Sequence, residues 1–248
     1  MQLEPWRIVC KMTITGNNIL MGSSGGGYTA NAVRFDGTND YLTRGADLTG
    51  CALNDQFAFS VWINFKGGDG VEQYILNSDG DRVNVYKDTS NNIRVIGKDP
   101  SGSVTSFHST STTAYTAATG WIHIAVAFNA TTAWMYINDS DDQASYSDGA
   151  ALIGYPRSDW SIGGKTGGTS LLNAEVADLW FLNHSGYDLS VESNRRSFIS
   201  VTGKPVEIER SGRIFMSGDT ADWHTNKGLG GGFTENGALT DAASSPSD

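Results

Sequence analysis

Cysteine is nearly absent from the chain. Cys10 and Cys51 are the only two in 248 residues, and neither stands in a C-x-x-C pair. Two thiols in this length do not make a disulfide scaffold, and the usage fits synthesis in a reducing cytoplasm. A Cys10–Cys51 bridge is the one pairing available. Proline is scarce as well, at 5 residues against 30 glycines, which points to many tight turns rather than Pro-rich linkers. Basic residues number 17 against 27 acidic ones, a net charge of −10. With no basic stripe to displace counterions from a phosphate backbone, a nucleic-acid partner is excluded. Charged residues of both signs make up only 18%, so the surface must be rich in Ser, Thr, Asn and Gly. No apolar run reaches membrane-spanning length, and MQLEPWRIVCKMTITG has no apolar stretch long enough for a signal peptide. The expectation is a soluble chain with no membrane partner and no general secretory export. Met12 is an alternative start to Met1.

What the sequence does have is period-two alternation. In QFAFSVWINF, Phe57, Phe59, Val61, Ile63 and Phe65 fall on one face, and Ala58, Ser60, Trp62 and Asn64 on the other. GWIHIAVAFN repeats the pattern with Ile122, Ile124, Val126 and Phe128. TAWMYIN sets Ala133, Met135 and Ile137 opposite Trp134 and Tyr136. VEQYILN, RVNVYKD and NNIRVIG read as shorter strands, separated by the turn signals SDGD, DTSNN and KDPSG. Strands this numerous and closely spaced predict an all-β fold, a two-sheet antiparallel sandwich or jelly roll. One helix is expected within 188–199, DLSVESNRRSFI, with Ser190 as N-cap. The organisation predicted is an N-terminal arm (1–30), a sandwich (31–185), and a short helix with a C-terminal extension (186–248). That extension contains two strand-like pieces, PVEIE and GRIFMSG, and ends rich in Gly, Ser, Thr and Ala, a composition that cannot build its own core.

Few motifs carry chemistry. In FDGTNDYLT, Asp36-Gly37 supplies a tight turn, and the turn accounts for Asp36 and Asn39. Asp40 and Asp178 need partners. Asp178 is expected on the same alternating face as Val176 and Trp180, where a carboxylate must be satisfied. Two readings stand: backbone N–H donors, or a Ca²⁺ held by the hard oxygens of Asp36, Asp40 and Asp178. NDSDDQ at 138–143 lacks EF-hand spacing and reads as a hairpin tip. Glu175 and Asp178, three apart on one strand, are expected on opposite faces, so they cannot form a glycosidase acid pair. His108, His123, His184 and His224 have no metal spacing; there is no G-x-S-x-G, and GGKTGG lacks P-loop spacing. The expectation is a protein that is not an enzyme. Trp62, Trp134 and Tyr136 lie opposite the main apolar face and are the candidate sugar-stacking residues.

The blocks AVRFDGTNDYLT, FAFSVWINF, GWIHIAVAFNATTAWMYIND, WSIGG and AEVADLWFLN, in this order over 31–185, resemble the laminin-G-like branch of the concanavalin A-like lectin/glucanase superfamily. The resemblance implies a jelly roll whose concave face holds a ligand in some members, and a calcium ion in others. It does not imply one function, since members include glycan binders, adhesion modules and accessory domains of enzymes. Residues 194–248 resemble the ends of laminin-G-like proteins of tailed bacteriophages and prophages. That resemblance implies a virion structural protein exposed on the particle, as capsid decoration or in a tail fibre or tip, with host-surface glycan binding compatible with it. Its expected partners are other virion proteins, with homo-oligomer formation allowed. Trp6, Phe215, Trp223 and Phe233 are the expected aromatic anchors of assembly arms. The alternatives are arms that fold back over the sandwich's own edge strands, an adhesin module with no assembly role, and a polysaccharide hydrolase.

Overall fold

The computed structural model describes residues 27–183, 187–209 and 211–248. The strands are β1 (Val33–Asp36), β2 (Tyr41–Thr43), β3 (Gln56–Phe65), β4 (Gln73–Ser78), β5 (Val83–Lys87), β6 (Asn92–Lys98), β7 (Thr105–Ala114) and β8 (Ile122–Asn129). They continue with β9 (Ala133–Ile137), β10 (Ser140–Asp141), β11 (Gln143–Asp148), β12 (Trp160–Ile162), β13 (Asn173–Leu182), β14 (Ile214–Met216), β15 (Thr234–Asn236) and β16 (Thr240–Asp241). A short helix, α1 (Glu192–Arg195), lies between β13 and β14. The strands form two antiparallel sheets. The first runs β10-β9-β8-β3-β13-β1-β16, with β14 also on β13; the second runs β11-β7-β6-β5-β4-β12-β2-β15.

The alternating residues take the faces their spacing predicts. Phe57, Phe59, Val61, Ile122, Ile124, Val126 and Phe128 are all buried in the main core between the sheets. Register pairs them across β3 and β8: Phe57 with Phe128, Phe59 with Val126 and Val61 with Ile124. Aromatic packing continues through Phe107, whose ring lies 5.3 Å from Phe57 and 4.7 Å from Phe128. The core closes tightly enough that Gly163, at φ +81°, admits no side chain: a Cβ there would sit 2.3 Å from the Phe35 ring. Cys51 is a buried free thiol, pushed up to about 12 by burial.

The C-terminal segment departs from the assembly-arm expectation. Residues 214–241 supply strands to both sheets: β14 pairs with β13, β15 with β2, and β16 with β1. Trp223 is fully buried in the main core, 5.9 Å edge-on from Phe35. Phe233 is buried in that core, and Phe215 packs half-buried on the outer cluster around Trp180. Trp223 and Phe233 are therefore core residues, not free anchors, and Phe215 is a half-buried sheet-cover residue. The reason is that a segment too polar to build a core can still complete one. Its backbone satisfies open strand edges, and each isolated aromatic fills a gap the sandwich already provides. Trp6, Cys10 and His184 lie outside the described residues.

Residues 187–208 cover the outer face of the first sheet. Ala58, Ala125 and Ala127 keep that face shallow, and Trp180 packs there against Tyr187, Leu189, Phe198 and Ile208. The helix within this layer starts after Val191 rather than Ser190, because Asp188 takes the Ser190 hydroxyl and amide. Arg195 and Arg196 reach Asp139 at the β9–β10 turn, at 2.5 and 2.6 Å, and the Arg195 guanidinium sits 4.4 Å over the Tyr136 ring. PVEIE forms no ladder among the described residues; an isolated bridge joins Ile199 to Pro205.

Candidate functional site

β13 organises what lies on this outer layer. Its one edge pairs with β3; its other pairs first with β1 (Val33 opposite Val176), then with β14 (Leu179 opposite Met216). A bulge between Ala177 and Trp180 marks the handover, with Asp178 at φ +48°. The extra residue restarts the alternation. Val176, Leu179 and Phe181 belong to the main core, while Ala177 and Trp180 belong to the outer clusters. The expectation that Asp178 shares a face with both Val176 and Trp180 is therefore corrected, as is the placement of Glu175 and Asp178 on opposite faces. Both carboxylates meet the outer layer, but through separate partners. Glu175 accepts from Asn64 Nδ2 (3.0 Å), the Ala243 amide (3.2 Å) and Ser244 Oγ (2.8 Å). Asp178 Oδ1 accepts from the Tyr28 hydroxyl at 2.9 Å, while Oδ2 is buried without a partner among the described residues. Burial pushes the Asp178 carboxyl up to about 7.

The calcium trio is not assembled. Asp36 Oδ1 accepts the Thr38 and Asn39 amides at 2.7 and 3.2 Å, and the Thr38 amide foremost holds its carboxyl below the ordinary value. Asp40 accepts the Asp36 amide (3.1 Å) and the Ala238 amide of the C-terminal segment (2.9 Å). The oxygens are taken by backbone donors, the first of the two readings. Asp36 lies opposite Asn173, so Asp178 is five residues further along β13, about 16 Å away at the strand rise. Among the described residues, no three His, Cys, Asp or Glu side chains are grouped to hold a metal.

Of the three candidate sugar-stacking residues, the structure places one at a concavity. Trp134 and Tyr136 are half-buried against the layer that carries Arg195. Trp62 lines a pocket of about 300 Å³ on the same outer face, together with Trp121, Asn138, Lys204, Ser245 and Asp248. Each side chain has a local reason for its position. Trp62 takes a position on β3 opposite the main core, is buried there at 4% exposure, and packs 4.9 Å from the His123 ring. His123 is buried, pushed down to about 3 by burial, and so stays neutral at physiological pH. Asn138 and Asp139 are both left-handed, at φ +52° and +66°, which is the conformation of a two-residue hairpin turn. That turn aims Asn138 Oδ1 at the His123 amide (2.8 Å). Lys204 closes a turn with Gly203 at φ +73° and donates to the Ser247 carbonyl (3.2 Å) and the Asp248 carbonyl. The last wall is the tail. Ser245 Oγ donates to the Ala30 carbonyl (2.5 Å), and the Ala30 amide donates to Ser247 Oγ (2.9 Å).

The pocket joins two indoles to an amide, an ammonium, a hydroxyl and a carboxylate. A pyranose has apolar C–H faces and a rim of hydroxyls, so this mixture suits it. Neither Glu175 nor Asp178 lines the pocket. Sequence reasoning found Trp62 by its alternation but passed over Lys204, Ser245 and Asp248. They meet Trp62 only through contacts between distant parts of the chain, which no local pattern encodes.

A search of curated protein sequences returned no significant match. Among solved structures, the chain is similar to a native heptameric SAP-like pentraxin from Limulus polyphemus, with a TM-score of 0.58, 14% identity, and coverage of 89% of this chain and 98% of that one. It is also similar to a putative carbohydrate binding protein from Bacteroides ovatus, with a TM-score of 0.60 and 13% identity over 88% of this chain; it spans 62% of that protein. These likenesses concern the fold. The family profile of the laminin-G-like group matches residues 36–186, more than half the sequence, and on that match the chain belongs to the concanavalin A-like lectin/glucanases superfamily.

Proposed function

We propose that the protein is a saccharide-binding module that holds its ligand in the Trp62–Trp121 pocket, without hydrolysing it. The observation that carries this reading is the convergence of two indoles with Asn138, Lys204 and Asp248 in one pocket on a lectin-type sandwich. The part-exposed Trp121 indole would take an apolar sugar face, with the buried Trp62 as the floor behind it, and the polar groups would read hydroxyls. The separate, already bonded environments of Glu175 and Asp178 favour binding over glycosidic cleavage. The test is a glycan array probed with the wild-type protein and with Trp121→Ala. Selective saccharide signals that fall at least about tenfold in the variant support the reading. A wild-type protein that binds no saccharide refutes it.

The setting we propose is the surface of a tailed-phage particle, where such a module would contact host glycans. The support is the resemblance of residues 194–248 to the ends of phage-encoded laminin-G-like proteins. Trp223 and Phe233 are buried in the core, so the aromatic anchors we propose for other virion proteins are Trp6 and the half-buried Phe215. Mass spectrometry of purified particles tests the setting: hundreds of copies place the protein on the capsid, a few to tens place it in the tail, and its absence refutes a virion role.

A further inference from the structure

We infer that Glu175 and Ser244 are positioning residues that set the orientation of Trp121 in the pocket. The inference rests on the saccharide reading for its functional consequence, but its geometry is independent of it. Glu175 lies on β13, 1% exposed, and does not line the pocket. Ser244 lies on the tail that forms the pocket's last wall. The Ser244 hydroxyl donates to Glu175 Oε2 at 2.8 Å, and Ser244 Oγ accepts the Trp121 indole N–H at 3.0 Å.

A serine hydroxyl has one proton and two acceptor lone pairs. With that proton committed to a carboxylate, the oxygen presents only lone pairs toward Trp121, and the indole N–H is held there. The carboxylate is itself fixed. Asn64 Nδ2 donates to Oε2, the Ala243 amide donates to Oε1, and Lys66 Nζ lies 3.5 Å from Oε2. Orientation thus passes from the sheet, through Glu175 and Ser244, to the indole. Trp62 needs no such device, because it is a strand residue packed on His123. Trp121 precedes β8 and is half-buried against a small apolar cluster that includes Trp62, and the hydrogen bond fixes which way its indole N–H points. A stacking wall that must stay fixed while a ligand arrives gains from such support.

The experiment compares the wild type with Ser244→Ala and Ser244→Thr. The first readout is hydrogen exchange of the Trp121 indole N–H by NMR without any saccharide, its signal assigned by Trp121→Phe. The second is titration with methyl glucoside, methyl galactoside and methyl mannoside. Ser244→Ala is expected to keep cooperative unfolding with a thermal midpoint lower by roughly several degrees, and to speed indole exchange about tenfold, the factor for one ordinary hydrogen bond. It is also expected to weaken glycoside binding by roughly three- to tenfold, and Ser244→Thr to restore both. Unchanged indole exchange in Ser244→Ala overturns the positioning role. So does faster exchange with undiminished glycoside affinity. A wild-type protein that binds none of these glycosides and no saccharide on a glycan array refutes the saccharide reading instead, and the exchange measurement still decides the orientation of Trp121.

Discussion

Replacing Asp178 by asparagine tests the bulge and its buried carboxyl together. In the folded chain this carboxyl is 1% exposed, with one oxygen on the Tyr28 hydroxyl and the other without a partner among the described residues. Burial raises it to about 7 from an ordinary 3.8, opposed by the Tyr28 hydrogen bond and by the charge of Lys227. Because the folded value lies above the unfolded one, the native state holds more protons between about pH 4 and 7. Stability therefore falls as pH rises through that window. A shift of about three units corresponds to at most roughly 4 kcal/mol lost by pH 8. Asparagine cannot ionise, keeps an acceptor for Tyr28, and removes that loss. Urea unfolding of both proteins at pH 5 and pH 8 isolates the effect, because other titrating groups cancel in the difference. Relative to wild type, the Asp178→Asn variant is expected to gain about 2–3 kcal/mol of stability between pH 5 and pH 8, a rise of several degrees in relative midpoint for a chain of this size. If the two proteins differ by the same amount at both pH values, the buried-carboxyl account is wrong.

Phe59→Ala opens a cavity at the centre of the β3–β8 core and should cost about 3–5 kcal/mol in chemical denaturation; a negligible change would displace Phe59 from the core. Deleting residues 218–248 removes Trp223, Phe233, β15 and β16, so the truncated chain should lose cooperative thermal unfolding. A stable truncated sandwich would return those residues to the role of separable arms. Since backbone amides occupy the Asp36 and Asp40 oxygens, the thermal midpoint should be indifferent to chelator and to added calcium. A calcium-dependent rise would establish a metal site that this geometry does not assemble.

The sandwich was legible wherever strands alternate strictly, because period two reports burial of one face directly. β3, β8 and β9 are the instances, and their inward residues were all named from the pattern. β7 was not read, since in TSFHSTSTTA only Phe107 is a large apolar residue and the other buried positions, Ser106, Ser109 and Ser111, are held by hydrogen bonds. β15 and β16 are only three and two residues long and owe their existence to the edges they cover. The bulge in β13 was invisible for a related reason: an inserted residue changes no composition, yet it moves Asp178 and Trp180 to new surroundings. At the pocket, Trp62 was legible as an outward aromatic. Trp134 and Tyr136 carried the same signal and lie half-buried against the layer at 187–208, whereas Trp62 is buried in the cluster that holds Ile199 of that layer and borders the pocket from there. The tail walls of the pocket depend on contacts such as Ala30 with Ser245 and Ser247, which join the two ends of the described chain.

Binding of saccharide in the pocket lined by Trp62 and Trp121 is the central claim, and NMR tests it most directly. The seven tryptophan indole N–H signals are followed during titration with a saccharide selected on a glycan array. The Trp62 and Trp121 signals are predicted to move with saturation while those of the core residues Trp160 and Trp223 stay in place. Movement confined to other tryptophans, or no movement at saturating saccharide, would contradict it.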